Sequence, residues 1–448
     1  MATRRQSAHL LLISALLIVL VVSISGLAFA QEDGLDPETQ FYIPKPNQGA
    51  MQQMAKLISI GSKADADLIG EMISAPQAAW FTKGTPKSVQ QEVKNTVQRA
   101  AGKKTVPVLV VYNIPFRDCA QFSAGGATTV QEYQSWIDSF AAGIGNAWAV
   151  VILEPDGLGI IPYYDPYSSS DGSNAFEWCQ PAEADPASAA AERFSMLNYA
   201  VDTLKAQPNV SVYLDGTHSS WLGVGDAAHR LVQAGVQRAD GFYLNVSNYQ
   251  FTANSVQYGS WVSSCIAYAT AVNPGDFIGC PNQYWNGGPL PAKIAQLLGE
   301  WTGVGLSAYG EWSDETDVPS LNTSGINLRY ANMLGSSQPT THFVIDTSRN
   351  GLGPWQPPSG VYPDGQDWCN PPGRGLGYRP TAQLEHPLLD AYLWVKIPGE
   401  SDGECTRGLG PAGTTLDPEW GLVDPPAGGW FPEMALDLVH NANPPLVP

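Results

Sequence analysis

Six short apolar runs recur along this chain, and each leads to a polar residue able to do chemistry. Val106–Tyr112 leads to Asp118, Trp148–Leu153 to Glu154-Pro155-Asp156, Val210–Leu214 to Asp215, and Gly241–Leu244 to Asn245. Phe343–Ile345 leads to Asp346, and Ala391–Val395 to Lys396 and then Asp402. Runs of Val, Ile, Leu and Tyr bounded by Gly and Pro read as buried strands. Ala78–Phe81 is a shorter candidate and brings the count to seven. Helical spacing begins near Met51 and returns over 131–143, 186–206, 225–234 and 291–301. Strands separated by helices are expected to lie parallel. Parallel strands that all carry polar residues at their C-terminal ends predict an α/β fold, a parallel β/α barrel with its site on that face.

Between these elements, segments 157–185, 247–290 and 354–390 are rich in Gly, Pro, Ser, Tyr and Trp and read as long loops. Loops of that length in a compact domain usually serve function. Residues 31–48 are polar, include Pro37, Pro44 and Pro46, and read as a flexible lead-in. Neither a repeat nor a Ser/Thr/Pro-rich linker interrupts 49–448, which is expected to be one catalytic domain. At the front, Arg4 and Arg5 precede the apolar stretch Leu10–Val22 and an A-x-A pattern, Ala28-Phe29-Ala30. That is the layout of a secretory signal peptide over residues 1–30. The stretch is shorter than the roughly 20 residues a membrane span needs. A secreted, extracellular protein with no membrane attachment after cleavage is expected.

Charge narrows the partners. With 23 basic against 42 acidic residues the net charge is −19, which disfavours nucleic acid and anionic membranes and suits a neutral substrate. The 14 Trp and 18 Tyr fit sugar, because flat apolar rings stack on the C–H faces of a pyranose. Cys119, Cys179, Cys265, Cys280, Cys369 and Cys405 are an even set in a chain expected to be exported, so three disulfides are expected. Six cysteines allow fifteen pairings. Order along the chain favours 119–179, 265–280 and 369–405. Their spacing fits neither a CxxC pair nor a zinc cluster.

Three segments hold most of the chemistry. Val110-Val-Tyr112-Asn-Ile-Pro-Phe-Arg117-Asp118-Cys119 is a strand, a proline bend and a loop, followed by Ser123-Ala-Gly-Gly126. Arg117 beside Asp118 also fits a plain surface ion pair. Leu153-Glu154-Pro155-Asp156 sets two acids astride a proline at a strand end. Tyr213-Leu-Asp215-Gly-Thr-His218-Ser-Ser-Trp221 gathers an acid, a histidine and a tryptophan.

These segments resemble the signatures of glycoside hydrolase family 6, the inverting β-1,4-glucanases that include cellobiohydrolases and endoglucanases. The resemblance continues through Asn245-Val-Ser-Asn-Tyr249, Asp346-Thr-Ser-Arg-Asn350, Asp367-Trp368-Cys369-Asn370, Trp394-Val-Lys396-Ile-Pro-Gly-Glu400-Ser-Asp402 and Asn441-Ala-Asn-Pro444, covering roughly residues 50–448. It implies a distorted seven-stranded barrel acting on cellulose, with no cofactor and no metal, in a chain expected to be a monomer. Asp156 resembles the general acid, and Asp118 the second acid that raises the first one's pKa and helps handle water. Asp215 resembles a third acid lining the site, and Asp402 stands where the base is often placed. Tyr112 resembles the tyrosine that pushes the sugar out of its chair. Trp80, His218, Trp221, Asn245, Trp368, Lys396 and Glu400 match sugar-binding positions.

Gly157, Ser401 and Asn113 depart from residues common in that family, and none of them removes a catalytic carboxylate. An inverting enzyme implies an acid–base separation of about 6.5–9.5 Å. Two alternatives stay open: a carbohydrate-binding protein without catalysis, and a glucanase acting on mixed-linkage glucan or xylan. The long aromatic loop Ile160–Trp178 favours a covered site and cellobiohydrolase action. The shorter Cys369–Cys405 loop favours an open roof and endoglucanase action. The balance leans to cellobiohydrolase.

Overall fold

Seven parallel strands stand in one sheet in simple sequence order. They are β1 (Ala79–Phe81), β2 (Val108–Val111), β3 (Ala149–Leu153), β4 (Val210–Asp215), β5 (Gly241–Leu244), β6 (His342–Asp346) and β7 (Leu389–Leu393). Each pairs in parallel with the next. The two edges are joined by single bonds. Ala78 N–H donates to Trp394 O at 3.0 Å and Trp80 Nε1 to Val395 O at 2.8 Å. The sheet is therefore a curled, incompletely closed barrel, as the sequence predicts. The computed structural model describes residues 34–165, 177–284 and 305–447. The expected signal peptide, the expected helix over 291–301 and residues 166–176 of the Ile160–Trp178 loop lie outside the described residues.

Strands buried on both faces must be apolar at every position, and β2 and β3 are. Val150 and Ile152 point into the barrel with Val108, Val110, Tyr213, Tyr243 and Val344. Their neighbours Val151 and Leu153 point outward into the helix layer with Trp136, Phe140 and Leu197. This two-residue alternation carries both layers of the core.

The helices are α1 (Gln48–Ser59), α2 (Lys63–Ile73), α3 (Pro86–Gly102), α4 (Val130–Ile144), α5 (Ala189–Lys205), α6 (Val224–Gln233), α7 (Thr252–Ala267), α8 (Ser324–Leu334) and α9 (Pro432–His440); α3 to α8 pack in that layer, and α1, α2 and α9 share a separate cluster. Expected helices at 131–143, 186–206 and 225–234 are α4, α5 and α6. The α4 start is capped: Thr129 Oγ1 accepts Glu132 N–H at 3.1 Å, and the Glu132 carboxylate accepts Thr128 N–H at 2.9 Å. Helix α3 was not expected, although Val89, Val93, Val97 and Ala100 form its buried stripe and Thr85 caps it. Helix α7 falls where a long loop was expected. Its Ser, Thr, Asn and Gly content gives weak helix propensity. Burial of ten of its sixteen residues holds it instead. Gly259 in its middle meets the Phe343 ring of β6, where an added Cβ would come within 2.6 Å.

The three disulfides join Cys119 to Cys179, Cys265 to Cys280 and Cys369 to Cys405, with Cα–Cα distances of 5.7, 5.8 and 6.0 Å. They are the pairs that chain order favours. The lead-in differs from expectation. Phe41 and Tyr42 are buried, and Phe41 bridges Val106 in parallel just before β2. Val106 N–H donates to Gln40 O at 2.8 Å, and Tyr42 N–H to Val106 O at 2.9 Å. Phe41 belongs to the barrel-interior cluster, so the buried rings of Phe41 and Tyr42 pin the segment. Phe41→Ala is expected to cost about 3–5 kcal/mol of stability. Urea unfolding checks this; a change within about 0.5 kcal/mol would restore the flexible reading.

Candidate active site

Asp118 and Asp156 stand on adjacent loops, after β2 and β3, and both loops turn through left-handed backbone. Asp118, Cys119, Glu154 and Asp156 have φ of 57°, 45°, 53° and 62°. Non-glycine residues there cost roughly 1–3 kcal/mol each, so surrounding contacts must hold them. Glu154 supplies several. Fully buried, its carboxylate accepts the N–H groups of Asn113 at 2.9 Å and Ile114 at 3.0 Å, tying the β3 end to the β2 loop. Burial pushes Glu154 up to about 7, against those hydrogen bonds and Arg193. Buried Arg193 donates to Gly157 O, Ile160 O and Pro115 O, each at 2.8 Å.

Arg117 does not form the ion pair that its sequence position suggested. Its guanidinium lies 4.5 Å from the Tyr112 ring centre and donates to four carbonyls. These are Ser123 and Thr82 at 2.8 Å, Tyr112 at 2.5 Å and Ala124 at 3.2 Å. It closes the loop that presents Asp118, and Ser123 N–H donates to Asp118 Oδ2 at 2.6 Å. Gly126 ends this loop at φ +98°, where a Cβ would stand 2.0 Å from Ile114 O. Only glycine fits that approach. Burial lifts Asp118 to about 6, with the Ser123 bond and Arg117 acting against it.

Asp156 opens onto the cavity but is surrounded by protein. Burial raises its pKa well above the usual carboxylate range; the charges of Asp215 and Asp118 add to this, Lys396 opposes it, and Asp402 raises it again. Asp156 therefore holds its proton more tightly than an ordinary aspartate. Asp215 was expected to line the site and does not. Its Oδ2 accepts Leu158 and Gly159 N–H at 3.1 Å, and its Oδ1 accepts Thr217 N–H at 2.8 Å. Three backbone donors hold it behind the wall, where burial pushes it up to about 6. It acts on Asp156 through space.

Asp402 has the opposite surroundings. Its Oδ2 accepts from Arg349 at 2.9 Å, Tyr249 hydroxyl at 3.0 Å and Asn370 N–H at 3.0 Å. Lys396 Nζ lies 3.3 Å from Oδ1. Burial would raise Asp402, but Arg349, Lys396 and the hydrogen bonds outweigh it and hold the carboxyl below its ordinary value. Asp402 stays ionised.

Asp118, Asp156, Lys396 and Asp402 border one cavity of about 690 Å³, together with Trp80, Tyr112, His218, Trp221, Trp368 and Glu400. Trp80 stands edge-on to Tyr112 at 5.6 Å. His218 accepts Ser220 N–H at Nδ1, which leaves Nε2 as donor, and burial lowers its pKa to about 3. Glu400 accepts from Asn47 at 2.7 Å. Asn245 is the second correction among the expected site residues. It is fully buried, its Nδ2 donates to Asp346 O at 2.8 Å and its Oδ1 accepts Gln250 N–H at 2.9 Å. It holds the β5 and β6 ends together behind the cavity. The sequence reading missed Phe122, which pairs with Trp368 at 5.9 Å, and Trp178, next to disulfide-bonded Cys179. Both are aromatic residues in loops tied to the site by cysteines, and that was their available signal.

Arg117→Lys keeps the charge but loses the planar fork that reaches four carbonyls. It is expected to lower kcat by on the order of 10- to 100-fold through misplacement of Asp118. Steady-state kinetics on any substrate the enzyme turns over checks this; wild-type kcat would refute it.

The geometry can be set beside known proteins. The profile of Glycosyl hydrolases family 6 matches residues 36–442. Endoglucanase A of Cellulomonas fimi is 32% identical over 409 residues, covering 91% of this chain; the chain spans 62% of that relative's length. A protein named probable 1,4-beta-D-glucan cellobiohydrolase C, from Aspergillus niger, is 28% identical over 419 residues, covering 86% of this chain and 74% of its own. Among solved structures, the endoglucanase Cel6 of Mycobacterium tuberculosis, in complex with a thio-linked cellobioside derivative, is 29% identical with a TM-score of 0.59. That match covers 92% of this chain and 99% of the other. With its profile matched almost end to end and its barrel shared with these structures, the chain belongs to family 6 of the glycosyl hydrolases.

Proposed function

We propose that this protein hydrolyses the β-1,4-glucosidic bonds of cellulose with inversion at the anomeric carbon. One arrangement carries the reading: Asp156, whose carboxyl burial and Asp215 push up, and Asp402, whose carboxyl Arg349 and Lys396 hold down, border the same cavity. Inversion needs such a pair. A neutral carboxyl protonates the leaving oxygen while a carboxylate takes the proton of the attacking water. In this reading Asp156 protonates the glycosidic oxygen. The bond to the anomeric carbon breaks towards the leaving sugar, and water enters from the opposite face. Asp402 receives that water's proton through Oδ1, since three donors occupy Oδ2. Asp118 supports the charge pattern and orders water. Tyr112 presses the reacting sugar, and Trp80, Trp221 and Trp368 offer ring faces to its neighbours. The acidic surface and uncharged rings suit a neutral polymer. Three disulfides suit export to an oxidising compartment. The enzyme is read as a secreted monomer.

The mode of attack is read as cleavage within the chain, a change from the lean given by loop length. Trp178 and Trp368 border the cavity and remain 55% and 37% exposed, as an open cleft leaves them. The Cellulomonas fimi and Mycobacterium tuberculosis relatives, both named endoglucanases, add support. Viscosity of carboxymethylcellulose is expected to fall early, ahead of soluble cellobiose. Cellobiose release with viscosity unchanged would identify chain-end action.

Proton magnetic resonance of cello-oligosaccharide digests should show the α-anomer first; the β-anomer first would remove inversion. Asp156→Ala should slow cellulose hydrolysis by orders of magnitude, and far less for aryl cellobiosides whose leaving group needs little protonation. Equal losses on both would take Asp156 out of the acid role. The pH profile follows from the signs. Asp402, depressed, limits activity only as pH falls through its low pKa. Asp156, raised, limits it only as pH climbs through its high one. Plateau activity across pH 5 to 6, read from kcat, is the expected outcome, roughly between the two limits.

A further inference from the structure

Asn370 grips Asp402 at two points. Its backbone N–H donates to Asp402 Oδ2 at 3.0 Å, and its side-chain Oδ1 accepts Asp402 N–H at 2.7 Å. Its φ of 40° is a left-handed setting that contacts must hold. The other end of the amide, Nδ2, reaches Ser401 Oγ at 2.9 Å, Gly403 O at 2.9 Å and Asp424 Oδ2 at 2.8 Å. Asp424 is the one charged-type partner in that set and stands away from the cavity, 2% exposed.

Asp424 itself is in an unusual position. Its Oδ1 is buried and no donor reaches it. The groups around it are Asp417 and Cys405, with a carboxyl oxygen and the sulfur within 4.8 Å. The sulfur is committed to the bond with Cys369 and brings neither proton nor charge. Asp417 is an acceptor already fixed by Arg407, which donates to its two oxygens at 3.2 and 2.7 Å. One buried arginine balances one buried carboxylate. A second carboxylate against them would be uncompensated, so a proton on Asp424, donated to Asp417, satisfies both groups.

We infer that Asp424 is a positioning residue for Asp402, acting through Asn370. The inference rests on the reading of Asp402 as the base. Asp424 in its carboxylic acid form bonds Asp417 with one oxygen and receives Asn370 with the other, and Asn370 then fixes the direction of the Asp402 carboxylate. Burial lifts Asp424 to about 7; the Asn370 bond opposes this, Asp417 adds to it and Arg407 opposes it. The proton is therefore kept below about pH 7 and lost above it, when two buried carboxylates repel beside the Asn370 anchor. Loss of that proton should then lower kcat as pH rises through about 7, adding to the alkaline limb that Asp156 sets.

Two substitutions test this. Asp424→Asn keeps an acceptor for Asn370 and a permanent donor for Asp417. It should hold wild-type kcat near pH 5 to 6, about where Asp424 is protonated, and extend activity above pH 7, roughly one unit further. Asp424→Ala should lower kcat by on the order of 10- to 100-fold with KM nearly unchanged, since no sugar contact is lost. A role in stability alone would lower the melting temperature and move neither the limb nor kcat. An unshifted alkaline limb in Asp424→Asn, or wild-type kcat in Asp424→Ala, overturns the inference. If Asp424→Ala fails to fold, the limb of Asp424→Asn decides. Asp402→Asn, measured in parallel, separates the two levels. If it stays active, the base reading falls and this inference with it. If it is inactive while the Asp424 variants match wild type, only this inference falls.

Discussion

Carboxyl groups crowded into a dry wall cannot all be charged. Asp118, Glu154, Asp156 and Asp215 sit on the consecutive strand ends β2, β3 and β4, and burial raises each of them. Little positive charge reaches Asp156 beyond Lys396. The opposite side, from β6 and β7, supplies Arg349 and Lys396, and there the Asp402 carboxylate is stabilised. Strand order thus divides the cavity into an acid side that keeps protons and a base side that does not. Each role follows from which neighbours the sheet provides, because like charges raise a carboxyl's pKa and cations lower it.

The division needs backbone that ordinary turns do not give. Non-glycine residues in left-handed conformation follow β2, β3, β4 and β5 at Asp118, Glu154, Asp156, Thr217 and Asn245. Four of the five are held by named contacts: Arg117 and Ser123 for Asp118, the Asn113 and Ile114 amides for Glu154, Asp215 for Thr217, Asp346 and Gln250 for Asn245. Strain of this kind gathers where side chains must point out of the sheet's own alternation. Cys119–Cys179 fastens the β2 loop to the loop after β3, so the two acids share one covalent frame.

That strain also explains what the sequence could and could not reveal. The strands were legible because two-sided burial leaves an unbroken apolar run, and the order of elements then led to the barrel. Helix α7 was hidden because tertiary burial outweighs its weak propensity. The anchoring of the lead-in was hidden because two buried rings, Phe41 and Tyr42, pin a segment whose other residues are mostly polar. Among the site residues, Asp118, Asp156 and Asp402 were readable as chemistry-bearing ends. Asp215 and Asn245 sit at equivalent strand ends, yet they turn behind the wall. Nothing in two-residue periodicity distinguishes them: the N–H groups of Leu158, Gly159 and Thr217 claim Asp215, and Asp346 O and the Gln250 N–H claim Asn245.

Arg117 shows the same limit from the other side. Its neighbour in sequence is an aspartate, and pairing the two charges is the simple expectation. In the fold the guanidinium instead satisfies four carbonyls and covers the Tyr112 ring. This arrangement serves the site better than an ion pair. A cation bonded directly to Asp118 would hold that carboxylate ionised and well depressed. Displaced onto the backbone, Arg117 shapes the loop and opposes only part of the burial effect, so Asp118 remains near 6. A carboxyl at that level still adds negative charge beside Asp156 near neutral pH, which helps the acid keep its proton.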